Sequence, residues 1–572
     1  MALKRPRVAT SRSHRSLKKS TRHVAARAKR IADANPKEIV KVSIVMRGKK
    51  GAPVLPDQDY WIKTPPGQRT FLSREEFAKL HGADPKDVVI LRKFAKANKL
   101  KVIESSLARR TIVISGTVEQ MNRIFRVNLG IYALPNGVYR GREGVISVPN
   151  AIAHIVRAVF GLDNRRMLRH LASHALGTAP AGAVPLTPPQ VARLYGFDSV
   201  NSTGHGQTIG ILEFSGGYLA RRVHGKLITP DLYTFFESVG LPVPEITDVS
   251  VDGVGNEPSI TDTGTGEVAL DIDVAGSVAP GARIVVYFGP YTTQGFVDAL
   301  TTAIHDDVNK PSVISISWGT AEEDSNGHPI WNQSSAETIG YALQEAAALG
   351  VSVLAASGDD GTNCGVGDGG THVLFPASDP WITSCGGTII TNVNNRYFAE
   401  HTWSDFNWSG TAEIGYFGGA TGGGFSKFFP EPKWQGPAKT GTPRLRARGR
   451  GVPDIAGNAS PYSGYTITVF GISGLIGGTS ATAPLYAALF ARLNSMFGYN
   501  LGYLNPTLYK FGATSSVFRD IKDGVSNAAP IGLPGGPMSF GYKSSAGWDP
   551  CTGLGVLVGG ALVERFFRKP NL

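Results

Sequence analysis

The chain has 572 residues, of which 42% are hydrophobic, 18% are charged and 70 are glycine, and this is the composition of a globular protein. Its length exceeds what one compact core accommodates, so we expect two or three domains. Three cysteines, Cys364, Cys385 and Cys551, exclude a disulfide-rich scaffold and any C-x-x-C metal site, and they allow one bridge whose partners the sequence does not select. No run approaches the roughly 20 apolar residues of a membrane helix.

Positive charge is concentrated at the front of the chain. Residues 1–50 hold 16 Lys and Arg against 2 Asp and Glu, and residues 51–170 hold 20 against 10. Residues 171–572 hold 22 against 33 and are therefore acidic. Such complementary charge favours an arrangement in which the basic front of the chain is held against the acidic remainder of the same chain. A solvated basic tail, or nonspecific binding to nucleic acid, would leave the same pattern.

Residues 1–38 are rich in Arg, Lys, Ser and Ala, and we expect them to form a basic disordered extension. They lack the apolar segment of a conventional secretory signal. In residues 39–164, short strands and helices alternate, which predicts a small α+β domain with an antiparallel sheet. The predicted strands are 39–45, 101–103, 111–114 and 127–133, and the predicted helices are 73–80, 87–98 and 118–125.

Residues 165–188, rich in Ala, Gly, Pro and basic residues, form the predicted linker, which is the kind of exposed segment that proteases cut. In residues 189–572 near-continuous apolar strands alternate with helices such as 335–349, which is typical of parallel strands covered on both faces. The predicted strands include 207–213, 282–288, 312–317 and 351–356. This region is therefore predicted to be a doubly wound α/β domain.

The segment from Gly477 to Pro484 places Ser480 after two glycines and at the start of a predicted helix. Glycines allow a tight bend, and a serine at a helix start has its hydroxyl beside free N–H groups and the positive end of the helix dipole. The pattern is that of an activated nucleophile, and an ordinary serine N-cap would share it.

A second segment carries Glu267 and Asp271 on a helix predicted to start near Gly266. Residues four apart share one helix face, and two acids there can share a proton, which separates their proton affinities. A solvated acidic face is the alternative. The apolar neighbours of both acids favour a buried helix instead, where unpaired acids would be costly.

A third acid, Asp359, directly follows the predicted strand 351–356. The carboxyl end of a parallel strand is where doubly wound sheets build their sites. A loop aspartate that stabilises a turn is the alternative interpretation.

Together, these three segments resemble the sedolisin (serine-carboxyl peptidase) family, most closely its kumamolisin branch, from about Val40 to Val558. The resemblance implies a subtilisin-like catalytic domain behind a ferredoxin-like inhibitory and chaperone prodomain. It implies Ser480 as nucleophile, Glu267 as general base and acid, Asp271 as the partner of Glu267, and a neutral Asp359 as oxyanion donor. Glu213 and Trp318 match the outer members of the acidic network.

The resemblance also implies one structural Ca²⁺. Asp520 and Asp549 would give carboxylates and Ile521, Ser545 and Gly547 carbonyls, which is a donor set that suits a hard cation. Ser545 stands where close relatives have glycine. Cys364 and Leu374 occupy two positions where the branch carries acids linked to a preference for basic residues at P1, so that preference does not carry over.

From this resemblance we expect an extracellular, self-processing acid endopeptidase that cleaves proteins and peptides and is inhibited by its own prodomain. We expect a monomer with no nucleic-acid or membrane partner. Two alternatives share part of this pattern. A subtilisin-type serine peptidase would need a histidine in an H-G-T-H context, and none of the 12 histidines has one. A noncatalytic binding protein would use the basic arm, which has few interleaved aromatic residues.

Overall fold

The computed structural model describes residues 13–135, 137–171, 173–174, 182–223, 226–394, 397–408, 418–436, 449–512, 515–531 and 536–568. The strands of the N-terminal domain are β1 (His14–Arg22), β2 (Lys29–Asp33), β3 (Ile39–Met46), β4 (Lys101–Ser106), β5 (Thr111–Thr117), β6 (Gly130–Leu134), β7 (Gly137–Gly141), β8 (Gly144–Pro149) and β9 (Val156–Phe160). Its helices are α1 (Gln58–Lys63), α2 (Arg74–His81), α3 (Pro85–Ala97) and α4 (Val118–Phe125), with a 3₁₀ turn at Pro66–Gln68.

The N-terminal domain is built on an antiparallel sheet in the order β4-β5-β3-β9. When the four strands are numbered by their order in the chain and read from the β9 edge, the order is 4-1-3-2, which is that of a ferredoxin-like sheet. Local sequence fixes its helices: Ser73 and Glu76 form a capping box at α2, and Thr117 and Gln120 form one at α4. Apolar side chains of the sheet and of α3 and α4 form one core.

The prediction that residues 1–38 are disordered is wrong for the part that the structure describes. Strand β1 pairs with β8, and β2 pairs with β6, so the basic arm belongs to the N-terminal domain. Residues 1–12 lie outside the described residues. The strands escaped prediction because their sequence is too polar to alternate clearly, and pairing with distant strands stabilises them instead.

Strands and helices continue through the second domain. The linker before it contributes β10 (Arg169–His170) and β11 (Ser173–His174). The strands of the second domain are β12 (Thr208–Glu213), β13 (Arg221–Val223), β14 (Lys226–Ile228), β15 (Ile246–Ser250), β16 (Arg283–Phe288), β17 (Val313–Ile316), β18 (Trp318–Ala321), β19 (Ser352–Ala356), β20 (Leu374–Phe375), β21 (Thr383–Thr391), β22 (Ala399–Thr402), β23 (Gly424–Pro430), β24 (Gly449–Val452), β25 (Ile455–Asn458), β26 (Tyr465–Val469), β27 (Ile472–Gly477), β28 (Phe518–Arg519) and β29 (Val556–Leu557).

The helices of this domain are α5 (Pro188–Leu194), α6 (Pro230–Ser238), α7 (Gly264–Val278), α8 (Thr293–His305), α9 (Gln333–Ala348), α10 (Asp405–Trp408), α11 (Thr479–Phe497), α12 (Asn505–Phe511) and α13 (Gly559–Arg568), with 3₁₀ turns at Phe197–Ser199 and Gly361–Asn363. The central sheet has the order β15-β16-β12-β17-β19-β21-β22, and β25 also pairs with β21. Its strands are parallel from β15 to β21, as predicted. Helices α7 and α11 cover one face and α8 and α9 the other.

The N-terminal domain docks on α8 and α9. Ser43 of β3 donates a hydrogen bond to Asp298 (2.5 Å), and Lys19 of β1 pairs with Glu337 (2.6 Å). Arg110 also forms a buried ion pair with Glu345. The basic front of the chain is thus held against acids of the second domain, as the charge pattern predicts.

All three cysteines are buried and free, so the bridge that the sequence allows is not formed. Within the described part of the chain, no helix combines the length and the apolar character that crossing a membrane requires.

Candidate active site

Ser480 is the second residue of α11 and is fully buried in the described structure. Strand β27 ends at Gly477, and the chain turns through Gly478, whose φ of +106° strongly favours glycine. The turn therefore delivers the serine hydroxyl to the N-terminus of a long helix, where free N–H groups face it.

Helix α7 brings Glu267 and Asp271 to the site, and both carboxyl groups are fully buried. Burial raises the pKa of Glu267, the charge of Asp271 raises it further, and the nearby Ser480 hydroxyl opposes this shift. Burial also raises the pKa of Asp271, and the Ser317 hydroxyl opposes that shift. Both shifts favour the protonated form of these acids, which is the condition for the shared proton that the spacing of four residues predicts.

Ser317 connects the acids to the nucleophile segment. Its hydroxyl lies 2.7 and 2.9 Å from the two carboxyl oxygens of Asp271 and 3.3 Å from the main-chain oxygen of Ser480. Neither carboxyl oxygen of Glu267 forms a hydrogen bond of good geometry within the described parts of the chain, and the same is true of the Ser480 hydroxyl. Catalytic hydrogen bonds of a resting enzyme are often long, so this arrangement still suits a base and a nucleophile.

Glu213 and Trp318, the predicted outer members of the acidic network, contact each other near these acids. Glu213 ends β12, Trp318 begins β18, and the indole Nε1 donates to the Glu213 carboxylate at 2.8 Å. Burial raises the pKa of Glu213, as do the charges of Asp271 and Glu267, whereas the indole hydrogen bond lowers it. Three buried acids thus influence one another electrostatically.

Asp359 follows β19 and contacts the nucleophile segment at Thr479. Its Oδ1 accepts from the Thr479 amide (2.9 Å) and from the Thr479 hydroxyl (2.7 Å). A Cβ atom at Gly478 would lie only 2.4 Å from Asp359 Oδ2. Oδ2, the oxygen that would carry the proton of an oxyanion donor, thus lies beside the nucleophile turn.

The predicted linker crosses this site. Arg169–His170 (β10) pairs antiparallel with Trp318–Gly319, and β11 pairs antiparallel with Ile476–Gly477. The linker thus adds a strand on each side of Ser480, in the manner of an extended peptide bound at a sheet edge. Residues 172 and 175–181 of the linker lie outside the described residues.

The imidazole of His170 lies beside the acids. Its Nε2 is 2.7 Å from the Thr263 hydroxyl, and its Nδ1 is 3.6 Å from Glu267 Oε2. Because His170 belongs to the linker and not to the second domain, this contact would leave with the linker. Sequence reasoning missed His170, Ser317 and Thr479; only Ser317 and Thr479 had a usable signal, since each adjoins a predicted site residue.

The residues predicted to hold a metal ion lie in two neighbouring loops. The Gly547 amide donates to Asp520 (3.1 Å), and the Ser545 amide donates to Asp549 (3.1 Å). Burial raises the pKa of Asp549 to about 7 and also raises the pKa of Asp520, whose Oδ1 has no hydrogen-bond partner among the described residues.

A buried carboxylate, Asp549, next to the partly buried Asp520 suits a cation, and the charge of Lys522 only partly offsets the raised pKa of Asp520. Ile521 adjoins Asp520 in the chain and is buried. No group of three or more His, Cys, Asp and Glu in the described ranges could hold a metal, so a site here would need main-chain oxygens as well. If main-chain oxygens serve as further ligands, these residues fit one ion that is bound by oxygen atoms.

Two family models match the chain: Pro-kumamolisin, activation domain, at residues 26–165, and Subtilase family at residues 260–510. The chain is 40% identical over 560 residues to kumamolisin of Bacillus sp. (strain MN-32), covering 95% of each chain. It is 30% identical to tripeptidyl-peptidase sed5 of Aspergillus fumigatus, covering 94% of this chain and 95% of that one.

One solved structure extends the comparison to the fold. Pseudomonas sedolisin, a serine-carboxyl proteinase complexed with two molecules of pseudo-iodotyrostatin, superposes with a TM-score of 0.55 at 27% identity. The match covers 69% of this chain and all of that one.

Proposed function

Because the chain belongs to the sedolisin family of serine-carboxyl peptidases and is a kumamolisin-like proenzyme, we propose that it is an acid endopeptidase that processes itself. The observation that carries this proposal is the placement of Ser480 between a buried acid pair, Glu267 and Asp271, and Asp359. The subtilisin-type alternative is disfavoured because helix α7 presents these acids and no histidine.

In the proposed reaction Glu267 takes the proton of the Ser480 hydroxyl as Oγ attacks the scissile carbonyl carbon. Asp271 orients Glu267 and shares its proton, and Ser317 fixes Asp271. Neutral Asp359 donates to the oxyanion that develops in the tetrahedral intermediate. Glu267 then returns the proton to the leaving amine, and water later hydrolyses the acyl-enzyme.

Acid conditions suit this constellation for two reasons. Asp359 must carry a proton to donate to an oxyanion, and carboxyl groups lose theirs as the pH rises. Burial raises the pKa of Glu267 and of Glu213, and repulsion among the ionised acids near Ser480 raises both further, so a proton is shared most readily in acid. Activity should therefore peak well below neutral pH.

An endopeptidase fits the cleft better than the tripeptidyl-peptidase activity that the name of the Aspergillus relative states. The linker is paired with second-domain strands both before and after it passes Ser480, and before Arg169 it continues into the buried residues Met167 and Leu168. On the amino side of Ser480, the cleft therefore accommodates more than three residues of the bound chain. A tripeptidyl-peptidase would need the cleft to be blocked after the third residue.

The N-terminal domain would act as intramolecular inhibitor, because it is tethered by a strand that fills the cleft. It would also assist folding, because its docked surface packs against α8 and α9 of the catalytic domain. We further propose one Ca²⁺ held by the two carboxylates of Asp520 and Asp549 and by carbonyls of Ile521, Ser545 and Gly547. Extracellular action on proteins and peptides, as a monomer, completes the proposal.

The direct test is Ser480→Ala in the full chain. At acid pH we expect the wild-type proenzyme to shift to a smaller species on a gel and to digest a protein substrate. Ser480→Ala should do neither, whereas Ser495→Ala, a serine of the same helix that donates to the His205 carbonyl, should behave as wild type. Processing and proteolysis retained by Ser480→Ala would refute the proposed function and favour a noncatalytic role for the basic domain.

A further inference from the structure

The side chain of Leu171, in the linker, is buried at the site. It is 2% exposed, and it packs in a small cluster with Ala321, Ala356, Cys364 and Leu374. These residues come from β18, β19, the turn after Asp359 and β20, so the wall of the pocket belongs entirely to the second domain. The linker fills this pocket with an apolar side chain.

The main chain of Leu171 is also placed as a substrate would be. A Cβ atom at Gly478 would lie 2.1 Å from the Leu171 carbonyl oxygen and 2.4 Å from Asp359 Oδ2, so both oxygens lie beside one point of the nucleophile turn. Asp359 is the proposed oxyanion donor. The Leu171 carbonyl, which lies beside the same point of the turn, is therefore the one that Ser480 would attack.

The pocket walls carry no charge that could pair with a basic side chain. The Cys364 thiol donates to the His372 carbonyl (3.3 Å), and burial raises the pKa of this thiol to about 12. Two acids lie in the surroundings but outside the pocket wall. Glu322 accepts from the Ser426 hydroxyl (2.6 Å) and from a main-chain amide. Asp360 pairs with Arg169 of the linker (2.5 Å), and 45% of its side chain is exposed, so it faces solvent and not the pocket.

From this geometry we infer that the pocket of Ala321, Ala356, Cys364 and Leu374 binds the P1 side chain, that it selects leucine-sized apolar residues, and that maturation cuts the chain after Leu171. This inference rests on the proposed function and adds the substrate class and the processing bond to it. An arginine at P1 would bring a guanidinium into an apolar pocket without a counter-charge, which is strongly unfavourable.

The processing step follows the proposed chemistry. Ser480 Oγ bonds to the Leu171 carbonyl carbon while its proton passes to Glu267. The C–N bond to Ala172 then breaks, and its nitrogen receives that proton as the new amino terminus. Water hydrolyses the Leu171 ester and regenerates the serine hydroxyl, so that the net change is one water consumed for one peptide bond cleaved.

Two peptides that differ only in Leu or Arg at P1 test the pocket on the processed enzyme. We expect kcat/KM for the leucine peptide to exceed that for the arginine peptide by about 100-fold or more. Leu374→Asp, which places a carboxylate in the wall, should move this ratio toward arginine by roughly 10-fold or more. If that variant does not fold, the wild-type ratio alone decides.

Mass analysis of the first processing products tests the bond. The wild-type proenzyme at acid pH should yield a catalytic chain that begins at Ala172, Leu171→Met should process at a similar rate, and Leu171→Arg should process far more slowly at this bond. A first cut elsewhere, or an arginine peptide cleaved as fast as the leucine peptide, would overturn the inference while leaving the peptidase intact. An enzyme that cleaves neither peptide nor any protein at acid pH would instead overturn the proposed function on which the inference rests.

Discussion

Replacing Ser317 by alanine tests the acidic network without touching a proposed proton carrier or the nucleophile. The hydroxyl donates to Asp271 at 2.7 and 2.9 Å, and both residues are fully buried. A hydrogen bond to a charged group contributes about 1.5 to 3 kcal/mol. Its loss corresponds to roughly 10- to 150-fold in rate if the interaction acts in the transition state.

The pH dependence of Ser317→Ala adds a readout that a structural role alone would not move. The hydroxyl holds the pKa of Asp271 down against burial, so its removal raises that pKa. Asp271 then stays protonated to higher pH. The acid limb of the plot of kcat against pH should therefore shift to higher pH, while KM changes little.

Ser315→Ala is the matched control. Ser315 lies two residues earlier on β17 and is equally buried, and its hydroxyl has no hydrogen-bond partner in the described parts of the chain. We expect Ser315→Ala to retain activity within about twofold, since no hydrogen bond is lost. Equal kinetics for wild type and Ser317→Ala, or equal losses in both variants, would refute the reasoning, and thermal melts of both would show whether folding is preserved.

Three further predictions concern the prodomain, the oxyanion donor and the metal. Arg110→Ala removes the buried pair with Glu345, so the gel shift of the proenzyme should begin at higher pH than in wild type or in the exposed-site control Arg92→Ala; an unchanged onset would contradict this. Asp359→Asn can still accept from Thr479 and donate through its amide, so it should lose less kcat than Asp359→Ala, and equal losses would argue against oxyanion donation. Added Ca²⁺ at 100 times its Kd should stabilise the wild type by about 2.7 kcal/mol but not Asp520→Asn, and a Tm insensitive to both EDTA and Ca²⁺ would count against the site.

Local sequence predicts much of the fold because many elements are specified by nearby residues. The helix 118–125 is predicted at its observed bounds, since a capping box starts it and Arg126, in a left-handed conformation, ends it. The strand predicted at 127–133 begins three residues later, at Gly130. The residues directly after the helix complete its C-terminal cap before the strand can start. The parallel strands stand out because both of their faces are buried.

What the sequence does not predict depends on distant partners. Strands β1 and β2 are polar and form by pairing with β8 and β6. The site acids were identified by their motifs, yet the contact of Ser317 with Asp271 joins a strand end to a helix 46 positions earlier in the chain. Leu171 reaches its pocket only because the linker crosses the cleft, and no local pattern around it predicts that placement.

The pH profile of kcat/KM for the processed enzyme tests the central claim most directly, because it reports the groups that activate Ser480. A base formed by Glu267 and Asp271, with a neutral Asp359, predicts an optimum well below neutral pH and little activity in mildly alkaline buffer. A profile that rises through neutrality and stays level in mildly alkaline buffer would indicate a histidine base and would contradict the account.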